Sequence, residues 1–196
     1  MGSGVVGRAL AAGYARHGHR VRIGTRRAEV DGVPTGSPAE VAGGAELVVL
    51  AVDGHVAVDL VGSIAGELEG KVLVDATNPL EPTDRGVGLF VGTTDSLGER
   101  VQRALPATRV VKAYNTVGNA LMVDPELPGG PPTMPIAGDD AHAKVTVTGL
   151  LEGTGWDVAD LGGIEASRWL EGLAMAWVAY GASSGTWTHA VRLLRG

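Results

Sequence analysis

The chain has 196 residues, of which 44% are hydrophobic and none is cysteine, with 16 Lys plus Arg against 22 Asp plus Glu for a net charge of -6. That length suits one domain (1–196) with enough apolar side chain for a sizeable core, so a disordered chain is excluded. The acidic balance argues against nucleic acid or an anionic membrane as the main partner, and the absence of cysteine removes disulfides, thiolate nucleophiles and Cys-built metal sites.

In chain order, short β-rich runs alternate with helical stretches. Gly4 to Arg16 reads as a helix with Val5, Leu10, Ala12 and Tyr14 near its buried side. Arg20 to Gly24 alternates polar and apolar residues, as a half-exposed strand does. Ser37 can cap a short helix through Gly43, and Glu46 to Val52 is a near-continuous apolar run of the kind buried on both faces of a parallel sheet. Asp53 reads as the cap of a helix to Glu69. Lys71 to Asp75 is the next strand, Ser96 to Leu105 a helix, and Thr108 to Ala113 a strand. Asp124 to Pro132, dense in Pro and Gly, reads as an ordered excursion because strand pattern resumes after it. Thr133 to Ala137 follows as a strand whose proline suggests an edge or a bulge. Asp139 and Asp140 open a helix to about Glu152, Trp156 to Asp160 is a last strand, and a helical segment (165–196) closes the chain, with Leu170, Leu173, Ala174, Trp177 and Val178 at helix-face spacing. Strands joined by helical crossovers imply an α/β fold with a doubly wound parallel sheet. No run approaches the roughly 18 apolar residues of a spanning helix and no charged-then-apolar export signal opens the chain, so no membrane partner and a cytoplasmic location are expected.

Gly2-Ser3-Gly4-Val5-Val6-Gly7 has the G-x-G-x-x-G spacing and opens the first helix. The first glycine makes a tight turn, the second lets backbone approach a pyrophosphate, and the third lets helix and strand pack closely. The helix N-terminus adds free N–H groups and a positive dipole end. Alone, such a spacing in a glycine-rich chain is weak; the following helix and strand make it a Rossmann-type dinucleotide-binding expectation. The motif should itself follow a central strand, and here only Met1 precedes it. The chain is therefore expected to begin inside a longer natural sequence, and the strands on either side of that place are expected to flank a gap or to take a partner's segment.

In NAD enzymes an acid at the end of the second strand accepts from the ribose 2′-hydroxyl. Here that strand ends Gly24-Thr25-Arg26-Arg27. A hydroxyl and guanidinium groups suit a 2′-phosphate, so NADP is the expected cofactor; a solvated basic turn is the plainer alternative.

The segments Gly2 to Arg26, Asp75-Ala76-Thr77-Asn78-Pro79-Leu80, Val111-Lys112-Ala113-Tyr114-Asn115-Thr116-Val117, Ala137-Gly138-Asp139-Asp140 and Arg168-Trp169-Leu170-Glu171 with Leu173-Ala174-Met175 together resemble the coenzyme F420-dependent NADP oxidoreductase family. The resemblance implies a compact, mostly dimeric nucleotide-binding domain that moves a hydride between NADPH and a deazaflavin, with coenzyme F420 as co-substrate. It implies that Gly2, Ser3, Gly4, Val5, Val6 and Gly7 form the pyrophosphate turn and that Thr25 and Arg26 meet the 2′-phosphate. Family members often carry a further basic residue a few positions later; Val30 stands near that place, and Arg27 can substitute. Ala51 and Val52 match the backbone beside the nicotinamide ribose.

Ligands of open parallel sheets lie outside the carboxyl ends of the strands. Val52, Asp75 to Asn78, and Tyr114 to Thr116 all fall at such ends and should converge on one crevice. Asn78 and Asn115 each offer a donor and an acceptor, suited to a carboxamide or a flavin-like edge; a turn and a helix cap are their structural alternatives. His55 follows Val52 closely and either touches cofactor or substrate or serves the helix start. His17 and His19 are expected on a surface turn, and His142 and His189 on helices, without metal-ligand company. Lys112 either pairs with a carboxylate or faces an edge. Trp169, Trp177 and Trp187 with Met175 are expected to pack in the core, an interface or a deazaflavin wall being the alternatives. No general acid, base or metal is required, because both coenzymes carry the hydride.

Overall fold

The computed structural model describes residues 1–196. Helix α1 (Val5–Arg16) follows the glycine turn and β1 (Ile23–Gly24) comes next, paired in parallel with β2 (Thr35–Gly36). Helix α2 (Pro38–Gly43), strand β3 (Leu47–Leu50), helices α3 (Gly54–Ser63) and α4 (Ala65–Leu68), and strand β4 (Val72–Asp75) follow. A hairpin of β5 (Leu80–Thr83) and β6 (Gly86–Leu89) leads to α5 (Leu97–Ala104) and β7 (Arg109–Lys112). The chain ends with β8 (Thr133–Ile136), α6 (Ala141–Glu152), β9 (Asp157–Asp160) and α7 (Ser167–Ser184), followed by an extended tail.

Strands β3, β4 and β7 form a parallel ladder in that order, and β8 pairs with β9 in parallel. The bridge between Lys112 and Ala137 joins the two ladders. Strands β1 and β3 do not pair with each other, but the place between them is neither the expected gap nor filled by a partner's segment. The Met1–Gly2 backbone lies between them: the Gly2 N–H donates to the Gly24 carbonyl (3.1 Å), and the Ala51 N–H donates to the Met1 carbonyl (2.8 Å).

Residues of β4 and β7 alternate between two cores. Val74 and Val111 join Leu10, Tyr114, Met134, Ile136, Val147, Leu151 and Trp156 on one face. Leu73 and Val110 join Leu50, Val61, Leu68, Leu97 and Val101 on the other. Burial on both faces is what makes these strands read as continuous apolar runs.

Several sequence expectations change. The strand expected from Arg20 shrinks to two residues, because β2, its partner, has only two. On α1 the buried residues are Leu10, Ala11 and Gly13, while Val5 and Ala12 are exposed; beside the glycine turn Val5 faces outward and Val6 packs against the core. The helix expected to run to Glu69 breaks at Ile64, whose φ of -127° is not helical. The β5–β6 hairpin was not expected. Pro135 stands, as its type suggests, on a ladder edge, since β8 pairs only with β9, but the strand is fully buried. Thr133 and Ala137 donate to Val191 and Lys112, so by strand alternation Pro135 points to the side where no continuous ladder runs. Helix α7 starts at Ser167, and Gly185, at φ 72°, ends it in the left-handed region. His189 therefore lies in the tail, not on a helix. It stacks on Trp177 with ring centroids 4.8 Å apart. Trp177 is half-buried there, whereas Trp169 and Trp187 are 66% and 48% exposed and not core residues.

Candidate functional site

Helix α1 begins at the glycine turn with Gly4 as its cap residue and no side-chain cap. Gly2 has φ 101°, and a Cβ there would lie 2.1 Å from the Ala51 carbonyl oxygen. A Cβ on Gly7 would lie 2.1 Å from the Gly2 carbonyl oxygen. Both positions therefore exclude a side chain. A Cβ on Gly4 would meet nothing within 4 Å, so nothing in the protein itself requires a glycine there. The first-turn N–H groups of α1 have no intrahelical acceptors. Val5 is exposed beside them, with Val6 and Gly7 half-buried behind it.

The end of β1 meets this turn. Thr25 Oγ1 donates to Ser3 Oγ at 3.0 Å, and the Arg27 N–H donates to Thr25 Oγ1 at 3.2 Å. Arg26 and Arg27 are exposed, and no carboxylate is paired with either. Val30 is buried against Ala11 and Ile23, at the start of a tight turn through Asp31 and Gly32; that position serves packing.

The carboxyl ends of β3, β4 and β7 come together as the connectivity requires. Ala51 is buried and Val52 half-buried beside Gly2. Asp53 caps α3 by accepting from the His55 N–H at 2.8 Å. A Cβ on Gly54 would lie 2.3 Å from the Asn78 carbonyl oxygen, so the α3 start abuts the turn after β4. Asn78 and Asn115 meet each other. Asn78 Nδ2 donates to the Asn115 carbonyl (2.7 Å), and Asn115 Nδ2 donates to Asn78 Oδ1 (3.3 Å) and to the Leu170 carbonyl of α7 (2.8 Å). Asn115 Oδ1 is buried without a partner. The backbone reverses just before it at Tyr114, whose φ of 64° is rare for a bulky residue. Burial and a hydroxyl pair with Tyr14 hold Tyr114 there, and burial raises its phenol above the ordinary value.

Sequence reasoning missed the stacking of Phe90 and, at Lys112, where pairing with one carboxylate was an alternative, the full burial and the second carboxylate. Phe90, delivered by the hairpin, stacks on His55 with centroids 4.3 Å apart. Lys112 is fully buried and bonded to two carboxylates, Asp75 Oδ2 and Glu171 Oε1, each at 2.9 Å. Burial alone pulls its ammonium down, but the two carboxylates more than offset this and hold it above its ordinary value. A lysine inside an apolar strand, opposite an aspartate in register, was the available signal; the third member lies 59 residues beyond Lys112, on a helix.

A family model described as NADP oxidoreductase, coenzyme F420-dependent, matches residues 1–79. F420-dependent NADP reductase of Methanothermobacter marburgensis is 30% identical over 191 residues, spanning 87% of this chain and 85% of that one. Rat metalloreductase STEAP3 is 32% identical over 114 residues, which cover 58% of this chain and 22% of that protein. The chain thus spans about a fifth of that longer relative. A crystal structure from Arthrobacter sp. FB24, of a protein proposed to be an F420-dependent NADP reductase, superposes with a TM-score of 0.92 at 39% identity, covering 99% of this chain and 97% of that one. Identity and coverage at this level place the chain in the coenzyme F420-dependent NADP oxidoreductase family, oxidoreductases built on an NADP-binding fold.

Proposed function

We propose that the chain transfers a hydride between NADPH and a deazaflavin coenzyme, F420, as a cytoplasmic homodimer of a single NADP-binding domain. One observation carries the cofactor half of the reading. The glycine turn heads a 12-residue helix and is joined by Thr25 to a strand end bearing two exposed arginines and no acid. Family membership supports the deazaflavin half.

The residues fit NADP. Open space over Gly4 leaves room for paired phosphates against the first-turn N–H groups of α1, flanked by Ser3, Val5 and Val6. Thr25, Arg26 and Arg27 suit the 2′-phosphate, Arg26 through a planar fork of donors. Ala51 and Val52 border the ribose of the nicotinamide half. Asn115 Oδ1, buried and unpartnered, is an acceptor for a carboxamide or a deazaflavin edge, with Asn78 steering it. His55, braced by Phe90, walls the rim. The two coenzymes supply the hydride chemistry when bound; the protein's part is to align their rings and exclude water. The exposed Trp169 and Tyr180 of α7 offer an apolar face for a second copy.

The test mixes the purified chain with NADPH and oxidised F420 and follows absorbance. Turnover supports the reading. Turnover only with a flavin, a quinone or an imine replaces the acceptor, and binding without turnover makes the chain an NADP-binding module. Arg26→Glu should weaken NADPH binding by about 10- to 100-fold, the worth of a charged hydrogen bond or two, with NADH binding little changed. Equal losses for both would sink the 2′-phosphate assignment.

A further inference from the structure

The Asp75–Lys112–Glu171 cluster is used by no step of hydride exchange. Its side chains are at most 1% exposed. Apolar replacements of buried ion clusters are often as stable or more so, which makes stability a weak reason for keeping one. Its place is informative. Asp75 and Lys112 are register partners at the last pair of β4 and β7, at the sheet end where ligands bind.

The bonds of the cluster lead to the two asparagines. Asp75 Oδ1 accepts from the Thr77 N–H (2.9 Å) and Thr77 Oγ1 (2.6 Å), and Asn78 is the next residue. Glu171 Oε1 accepts from the Gly98 N–H and Oε2 from the Leu97 N–H, both at 3.0 Å, which fastens α7 to the head of α5. The residue before Glu171 is Leu170, whose carbonyl accepts from Asn115. Asn78 and Asn115 thus each depend on a group one bond or one residue from those the lysine joins.

We propose that Lys112 is a positioning residue: by tying Asp75 to Glu171 it holds the Asn78–Asn115 pair between the strand ends and α7, so that the pair meets the nicotinamide end of NADP in one geometry. The inference deepens the proposed function and rests on it.

Calorimetric titration with two probes tests it. Adenosine 2′,5′-bisphosphate reports only the Thr25–Arg26 end of the crevice, and NADP reports the whole. Lys112→Met leaves two facing carboxylates and is expected to fold poorly. The charge-balanced double variant Asp75→Asn/Lys112→Met keeps an acceptor for Thr77 and carries the test, with Glu171→Gln as a second route that preserves side-chain length and one acceptor for α5. Both should bind the bisphosphate within about twofold of wild type but bind NADP about tenfold more weakly, and kcat should fall about 10- to 100-fold with KM for NADPH less affected, the scale of a small misplacement at a reacting centre. Unchanged NADP affinity and kcat would overturn the proposal. Equal losses for both probes would also overturn it, since Lys112 would then be a general stabiliser. A wild-type chain that binds neither probe would instead overturn the reading of the crevice itself.

Discussion

At the scale of single residues, the glycines divide by what surrounds them. Gly4 and Gly13 both belong to the α1 region, yet a Cβ on Gly13 would lie 2.5 Å from Val123 Cγ2 while one on Gly4 meets nothing within 4 Å. Gly13→Ala should therefore lower Tm: overpacking costs about 1–3 kcal/mol, offset in part by the better helix propensity of alanine. Its NADPH affinity should stay near wild type. Gly4→Ala should do the reverse. Its stability cost is at most about 1 kcal/mol, that of a poorer cap, while a methyl group in the path of the phosphates should weaken NADPH binding about tenfold or more, a displaced charged hydrogen bond being worth about 1.5–3 kcal/mol. Thermal melts and NADPH titrations of the two variants check this crossing pattern; a parallel loss in both would refute it. Spacing made Gly4 legible, because the demand of a tight phosphate turn is written locally, whereas the demand on Gly13 comes from Val123, far along the chain, and left no local sign. The Asn78–Asn115 pair was not legible in the same way. Each residue was placed at a strand end, but their mutual bonds join positions 37 residues apart, and a local pattern carries no trace of that.

At the scale of elements, legibility followed how much of the signal was local. Helix α2 was foreseen from Ser37 to Gly43, and the capping box is present: Ser37 Oγ accepts from the Glu40 N–H at 3.3 Å, and Glu40 Oε2 accepts from the Ser37 N–H at 2.9 Å. The β5–β6 hairpin was hidden because Leu80-Glu81-Pro82-Thr83 has neither alternation nor an apolar run, and only Asp84-Arg85-Gly86 marks its turn. The tail was misread because the helical composition of α7 continues past Gly185, where left-handed backbone stops the helix. The α2 box has reach beyond its own turn. It follows β2 directly, and the Thr25 N–H donates to the Gly36 carbonyl at 2.9 Å. Ser37→Ala should cost about 1 kcal/mol, about 2–4 °C in Tm for a chain of this size. The ratio of NADPH to NADH affinity should be unmoved, since Arg26 is untouched. A change in that ratio without a fall in Tm would show that the box acts on the strand end and not on the helix.

At the scale of the molecule, the parallel sheet and the gathering of strand ends followed from the alternation of strands and crossovers, because connection rules leave few alternatives, and the structure adds the order β3–β4–β7. What the alternation did not reveal is how the titrating groups are held. Half-exposed Asp157 is held below its usual range by its bond to Arg195, and buried Glu99 is likewise held down by Arg168, which reaches it from the surface. Depressed folded values contribute stability that is present above the unfolded carboxyl value of about 4 and is lost as pH falls through the folded value. A second set goes the other way. Burial raises Tyr14 and Tyr114, and Lys112 is held above its ordinary value despite burial. Raised values contribute stability that is complete below the unfolded value of about 10 and is lost as pH rises through the folded one. These two sets of groups should then give the stability profile an acid limb and an alkaline limb of different origin. The Arg195–Asp157 pair is 49% and 35% exposed, while Lys112 and Asp75 are both at 0%. Salt near 1 M, with a screening length of about 3 Å, should therefore flatten the acid limb and leave the alkaline limb in place. Tm measured across pH at low and high salt gives the result directly; an alkaline limb that moved with salt would mean that the buried groups are reached by solvent before the chain unfolds.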